Sequence, residues 1–487
     1  MDSIEIFTPL VKTLLASAYL ITMLVIIVVI MLENRNPLKT ISWVIVLLTV
    51  PVMGVVFYIF FGQNWRKEKI IARKGLKNHD LFASISHSQV KELSDSNLLL
   101  NTGIYTKRNV IRLLLNNANA IVTHGNKVKI LNNGDNTFNA IISEIQKAEK
   151  FIHLQYYIFD DDTIGNTILD ILKRKAEAGV EVRIIIDDVG GWQLKKSFFE
   201  NLRKSGIEID SFLKVRFPMF TSKVNYRNHR KIIVIDGTVG FIGGINIADR
   251  YLNGDESYGI WRDMHLRIEG DAVLAMQEIF LIDWYFVRQQ ELTDTKYFPA
   301  VDPVGDKLVQ IVPSGPDSDW PAIMMGYLQT ISSAMKYVYL ATPYFMPNDS
   351  VLMTIKAAAM GGVDVRIMIP EKSDAHFTHM CSRSYIKELL LAGVKVYFYQ
   401  KGFLHSKLIV ADDLVLSIGS ANMDFRSFEH NFEVNAFIYD EEKATEARNI
   451  FLDDLNESRQ IFFDIWVGRS KWMKFKESFA RLFSPLL

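Results

Sequence analysis

The stretch Asn228–Asn246 has a second copy later in the chain, and that repetition constrains the fold more than any other feature. The first copy reads Asn228-His229-Arg230-Lys231, four apolar residues, Asp236-Gly237, and closes on Gly243-Gly244-Ile245-Asn246. The second reads His405-Ser406-Lys407, four apolar residues, Asp412, and then Gly419-Ser420-Ala421-Asn422. Histidine precedes lysine by two positions in both, aspartate by seven and the closing asparagine by seventeen. A single such block would fit a solvated edge-strand pair, because lysine is mostly exposed. Two in the same register mark a duplicated active-site element.

Each block is expected to form a strand, a tight turn and a returning strand. Side chains two apart on a strand share a face, so His229 and Lys231, like His405 and Lys407, are expected side by side. The apolar run anchors the strand, and Asp236-Gly237 suits a hairpin turn. Small residues, Gly243 and Gly244 in one copy and Gly419 and Ser420 in the other, let backbone approach a ligand. Asn246 and Asn422 add amide donors. Imidazole, ammonium, amide and open backbone together suit the holding and attack of a phosphate. Asp236 and Asp412 complete each catalytic block, but they lie beyond the apolar run and are assigned to structure and local charge pairing. Downstream, Asp263 and Glu433 each sit at the start of an alternating strand, where a carboxylate can accept from a histidine's second ring nitrogen and fix its tautomer.

The repeat extends well beyond these blocks. FIHLQYYIF (151–159) and VEVRIIIDD (180–188) recur as YVYLATPYF (337–345) and Gly362-Val-Asp-Val-Arg-Ile-Met-Ile, with helical stretches near 136–148 and 165–178 between the first-half strands. Strands alternating with helices predict α/β layering, and a repeat this long is a domain, not a solenoid unit. The expected domains are 116–300 and 301–487, with the helix carrying Trp284 and Tyr285 broken by Pro299, Pro303 and Gly305. Tyr156, Tyr157, Tyr344 and Phe345 end their strands near the expected site.

Ahead of the repeats, residues 13–32 and a second run from Thr40 to Phe61 carry no charge. Each is long enough to cross a hydrocarbon layer of roughly 30 Å, and Pro51 and Gly54 are tolerated as a kink. Residues 1–63 are therefore expected to form a transmembrane hairpin, and 64–115 a juxtamembrane linker that packs on the body. Arg66, Lys67, Lys69, Arg73, Lys74 and Lys77 follow the second run, whereas the loop holds only Arg35 and Lys39. The positive-inside rule then puts the body in the cytoplasm, beside anionic lipids. The segment from Lys471 to Leu487 spaces Trp472, Phe475 and Phe479 helically, which suits docking on the body or on a membrane interface equally. Lys and Arg total 55 and Asp and Glu total 55, so net charge gives no footprint for nucleic acid. The histidines form no ligand-spaced cluster with Cys381, the one cysteine, or with carboxylates, and no metal or other cofactor is expected.

The duplicated His-x-Lys-x4-Asp block with its trailing small residues and Asn resembles the phospholipase D superfamily. ENRNPLKTISWV, SGPDSDW (314–320), SANMDFRSFEHNFEVN (420–435) and the ending RLFSPLL make the full length similar to the bacterial cardiolipin synthase family. The resemblance implies two phospholipase D-like α/β domains about a pseudo-twofold axis, sharing one site, in a bacterial cell membrane. It also implies metal-free condensation of two phosphatidylglycerol molecules into cardiolipin and glycerol through a phosphohistidine, with anionic membrane lipids as partners. His229, Lys231, Asp236, His405, Lys407 and Asp412 would be the catalytic set, supported by Asn246, Asn422, Asp263, Glu433, Gly244 and Ser420. It favours His229 as nucleophile, while the symmetry of the two blocks leaves the assignment open. A hydrolase or a transferase using another alcohol remains the alternative, since the acceptor is not readable from the residues.

Overall fold

The computed structural model describes residues 2–32, 37–50, 53–55, 58, 84–91, 103–215 and 226–486. Met1–Ile70 belongs to one compact unit, and both repeats belong to the other. In the first, a helix spans Asp2–Leu32, and its Val11–Val28 stretch, of mean hydropathy 2.2, is long and apolar enough to cross a membrane. Leu14, Leu20, Ile21, Leu24, Val25 and Val28 on it are exposed. Leu47 on a second helix, Pro37–Thr49, clusters with Ile30 of the first and with Tyr58 beyond both. Much of the second expected span, Pro51 included, lies outside the described residues, as does the basic cluster from Arg66 to Lys77.

In the second unit both repeats feed one continuous sheet of 15 strands. Outward from the centre, the first half contributes Val122–Asn132, Met264–Glu269, Val239–Gly243, Ile232–Ile235, Phe151–Tyr156, Glu181–Asp187 and Glu208–Phe212. The second contributes Lys307–Ser314, Glu433–Tyr439, Val415–Gly419, Leu408–Ala411, Tyr337–Ala341, Asp364–Pro370, Lys395–Tyr399 and Ser458–Ile461. The halves meet where Val122–Asn132 pairs antiparallel with Lys307–Ser314, with Val122 opposite Gln310. Equivalent strands fall at equal steps from that junction, as an approximate twofold relation between repeats produces. Helices cover both faces, which is why the strands are near-continuous runs of Val, Ile and Leu.

The hairpin expected in each block is present: Ile232–Ile235 pairs with Val239–Gly243, and Leu408–Ala411 with Val415–Gly419. Asp236 and Gly237 have φ of 53° and 72°, and Asp412 and Asp413 have 59° and 58°. Both turns thus take the left-handed conformations that match hairpin twist. Two expectations are corrected. His229 and Lys231 precede their strand, which starts at Ile232, so a shared strand face does not pair them. The helix carrying Trp284 and Tyr285 ends at Arg288, where Gln289 takes φ 54°, well before Pro299.

Part of the expected linker belongs to the body. The helix Arg108–Ala118 buries Val110, Ile111, Leu114 and Leu115 in the core of the second repeat, together with Val312, Ile323 and Tyr327. Just before it, the fully buried Lys107 ammonium donates to Asp412 Oδ2 at 2.7 Å and to the Ser333 carbonyl at 2.8 Å. Removing one partner of a buried pair strands the other charge, at about 3–5 kcal/mol. Lys107→Ala is therefore expected to lower unfolding free energy by roughly that amount in denaturant titration. A loss within experimental error would show that the segment is not part of the folded body.

Candidate active site

The cavity at the centre of the repeats has a volume of about 320 Å³, and both His229 and His405 line it. Each histidine is delivered by backbone pairing with the opposite repeat. Asn228 bridges to Phe432, and the His229 N–H donates to the Phe432 carbonyl at 2.9 Å. In the second copy Phe403–Leu404 pairs with Trp261–Arg262, and the His405 N–H donates to the Arg262 carbonyl at 2.8 Å. The carboxylates expected to orient the histidines do so, but crossed over. His229 Nδ1 lies 3.0 Å from both Glu433 oxygens and from the Ser420 carbonyl. His405 Nδ1 lies 2.6 Å from Asp263 Oδ2. Each repeat thus supplies the histidine of one pair and the carboxylate of the other.

Packing explains the small residues. A Cβ on Gly244 would stand 2.3 Å from Asp263 Oδ1, so glycine lets that carboxylate sit beneath His405. Ser420, its counterpart, donates to Glu433 Oε2 and accepts from the Val434 N–H at 2.9 Å. Arg230, the position where the two copies differ most, forms an ion pair with Asp283 and donates through Nε to the Glu433 carbonyl at 3.2 Å.

The electrostatics follow from burial. It lowers the pKa of His229, which the Glu433 charge opposes and Lys231 reinforces. The same burial, with Lys407 and Lys231 nearby, lowers that of His405 further. Burial alone would push Glu433 up, but the attraction of His229 and Lys231 and the Ser420 hydrogen bond hold it below its ordinary value. Asp263 stays raised by burial despite Lys407. Lys231 is lowered to about 7 and Lys407 to about 8, mainly by burial.

The lysines, grouped in the sequence with the histidines for holding a phosphate, stand back from the cavity. Lys231 Nζ donates to the His229 carbonyl at 2.6 Å, and Lys407 Nζ to the His405 carbonyl, so both sit behind the histidines. Neither lines the cavity, whereas Asn246 and Asn422 do. Asn246 is already engaged, accepting from the Ile158 N–H at 3.2 Å and donating to Tyr251 Oη at 3.0 Å. Asn422 bonds the Asp424 carboxylate, and its Oδ1, a buried acceptor, has no partner among the described residues.

Asp236 and Asp412 are not brought to the cavity. Each is separated from its histidine by seven residues of largely extended chain, about 20 Å. Asp236 accepts the N–H groups of Glu149, Lys150 and Phe151, each at 2.8 Å. Asp412 accepts those of Met335, Lys336 and Tyr337 at 2.9, 2.8 and 3.1 Å. Both therefore brace the start of the neighbouring strand, which is the structural role read from the sequence. Tyr157 and Tyr344 line the cavity, while Tyr156 and Phe345 are core.

Three lining residues were not anticipated, Arg227, Arg250 and Arg426, nor was the buried Tyr251, whose hydroxyl lies 3.2 Å from His405 Nδ1. Arg250 and Arg426 were legible in principle, since each stands four residues after its block's closing asparagine. Among the described residues no group of three or more His, Cys, Asp or Glu is placed to hold a metal ion. On the C-terminal helix Lys471–Arg481, Glu477 and Ala480 are buried, while Trp472, Phe475 and Phe479 are exposed.

A duplicated α/β sheet with two histidines in one central cavity defines a two-repeat phospholipase D-like protein. The family described as "Cardiolipin synthase, PLD-like domain" matches residues 141–284 and 327–455, and "Phospholipase_D-nuclease N-terminal" matches 20–63. A cardiolipin synthase of Listeria monocytogenes is 42% identical over 479 residues, covering 96% of this chain and 99% of the relative. Cardiolipin synthase 2 of Bacillus cereus is 43% identical over 463 residues, covering 94% and 89%. The crystal structure of a phosphatidylserine synthase from Haemophilus influenzae aligns with a TM-score of 0.59 at 15% identity, over 78% of this chain and 100% of that one, a likeness of fold. The chain belongs to the cardiolipin synthase family of the phospholipase D superfamily.

Proposed function

We propose that the protein is a phosphatidyl transferase that condenses two phosphatidylglycerol molecules into cardiolipin and glycerol. The reading is carried by the two histidines that line one cavity, each oriented by a carboxylate of the other repeat, in a chain that aligns end to end with cardiolipin synthases. His229 is assigned as the nucleophile. Its Nδ1 faces only acceptors, Glu433 and the Ser420 carbonyl, which fixes the proton there and leaves the lone pair on Nε2. Nε2 attacks phosphorus and forms a phosphoramidate while the bond to glycerol oxygen breaks. Protonated His405 gives that oxygen its proton, then takes one from the incoming hydroxyl as the P–N bond breaks. A bound phosphodiester places negative charge beside the rings and lysines, which favours their protonated forms against burial. Lys231 and Lys407 then supply charge from behind the histidines, and Asn246 and Asn422 contact the headgroup region.

Phosphatidylglycerol supplied alone to the purified protein is expected to yield cardiolipin and free glycerol. His229→Ala and His405→Ala are each expected to reduce that yield at least about a hundredfold, the scale of one acid–base group. Phosphatidic acid as the main product would assign the chain to hydrolysis, and near-normal turnover in either variant would remove the shared site.

The body comprises two phospholipase D-like domains that divide near residue 300, anchored by an N-terminal two-span hairpin on the cytoplasmic side of a bacterial membrane. The apolar Val11–Val28 helix and the charge-free run from Thr40 to Phe61 support the spans, and the basic residues from Arg66 to Lys77 support the orientation. A reporter fused after Leu487 is expected to behave as cytosolic, and a tag between Glu33 and Lys39 to be reached from outside intact cells. Cleavage of the body by external protease would reverse the orientation.

A further inference from the structure

Condensation requires the cavity to accept two lipid molecules in turn, and the second brings a phosphodiester that does not react. The chemistry described above uses the histidines and lysines for the reacting phosphorus and the asparagines for the headgroup, and leaves three lining arginines without a role. Arg250 is committed, since its guanidinium forms an ion pair with Asp160 and lies 5.3 Å from the centre of the Trp261 ring. Arg227 and Arg426 come from opposite repeats, both line the cavity that His229 lines, and Arg426 acts on Arg227 as a like charge. Arg227 is held by the Tyr157 hydroxyl and by the charge of Asp187, whose oxygens accept the N–H groups of Val189, Gly190 and Asn228 at 3.0, 2.9 and 2.7 Å.

The other acidic groups of the cavity are engaged as well. Asp374 accepts from the Tyr344 hydroxyl at 2.7 Å, and Asp424 accepts the Ser427 N–H at 2.7 Å and bonds Asn422. Two guanidinium groups lining one cavity suit a diester anion, which each can grip through parallel N–H donors. Asn422 supplies a second, independent sign of a ligand. It is 6% exposed, and with its amide bonded to Asp424 its Oδ1 is a buried acceptor without a donor at the cavity wall. Such an acceptor matches a hydroxyl group.

We propose that Arg227 and Arg426 bind the phosphate of the acceptor phospholipid, with Asn422 Oδ1 accepting a hydrogen bond from its glycerol headgroup. This assignment rests on the phosphatidyl transferase reading above. The acceptor's terminal hydroxyl is thereby presented to the phosphohistidine: its oxygen bonds phosphorus, the P–N bond breaks, and the proton passes to His405. Charge at this subsite favours a phosphate-bearing alcohol over water or a simple alcohol, and so makes the enzyme a condensing transferase.

The test is a competition for one covalent intermediate. With phosphatidylglycerol as donor and ethanol added, the ratio of cardiolipin to phosphatidylethanol reports acceptor choice, and any change in the donor step cancels. Arg227→Gln and Arg426→Gln are each expected to lower that ratio at least tenfold, with Arg227→Lys recovering part of the loss. An unchanged ratio in both variants would overturn the subsite while leaving the transferase reading intact. Wild-type protein that forms phosphatidylethanol and no cardiolipin would instead overturn that reading. Should the variants fail to fold, wild-type protein offered glycerophosphoglycerol and isotope-labelled glycerol at equal concentration answers the same question, the label separating newly made phosphatidylglycerol from the donor. A preference of at least tenfold for the phosphate-bearing alcohol is expected, and parity would overturn the subsite.

Discussion

A carboxylate taken wholly out of water is tolerable only when it is paired and hydrogen-bonded. Glu433 and Asp263 are both fully buried, and each meets this requirement through the histidine of the opposite repeat. Neither repeat folded alone could satisfy its own carboxylate this way. The crossed pairs therefore join the halves and at the same time fix both imidazoles, so the joining of the repeats and the geometry of the cavity fall on the same four side chains.

The sheet supports that arrangement. Because the two central strands pair directly, the block hairpins of both repeats lie at equal distances from one axis, and their histidine-bearing lead-ins reach across it. Asp236 and Asp412 set the far ends of these hairpins by holding the start of the adjacent strand. In the second repeat the Lys107 hydrogen bond and the backbone N–H groups of Lys336 and Met335 hold the Asp412 carboxylate low against the upward effect of burial. A lysine ahead of both repeats thus helps fix the second hairpin.

Local regularities were legible in the sequence. The paired blocks, the α/β alternation, the turns, and the nomination of Asp263 and Glu433 as carboxylates within reach of a histidine all follow from spacing and residue type. What escaped were contacts between distant segments. The direction of the crossing cannot be read, because either carboxylate is chemically suited to either histidine. Lys107 and Asp412 lie 305 positions apart, and a single lysine in a polar stretch reads as solvated. Asp283 stands on a largely apolar helix, and nothing local to it points to its ion pair with Arg230. The placement of the lysines behind the histidines is not legible either, because a shared strand face would set Lys231 beside His229, whereas the strand begins only at Ile232.

The crossed wiring is tested most directly by following the histidines individually in 15N-histidine NMR. Glu433 raises the His229 pKa against burial, so Glu433→Gln removes that support and is expected to move the His229 titration to lower pH while leaving His405 in place. Asp263→Asn is expected to shift the Nδ1 resonance of His405 and to leave that of His229. A response of His405 to Glu433→Gln, or of His229 to Asp263→Asn, with the partner histidine unmoved, would contradict the shared site described here.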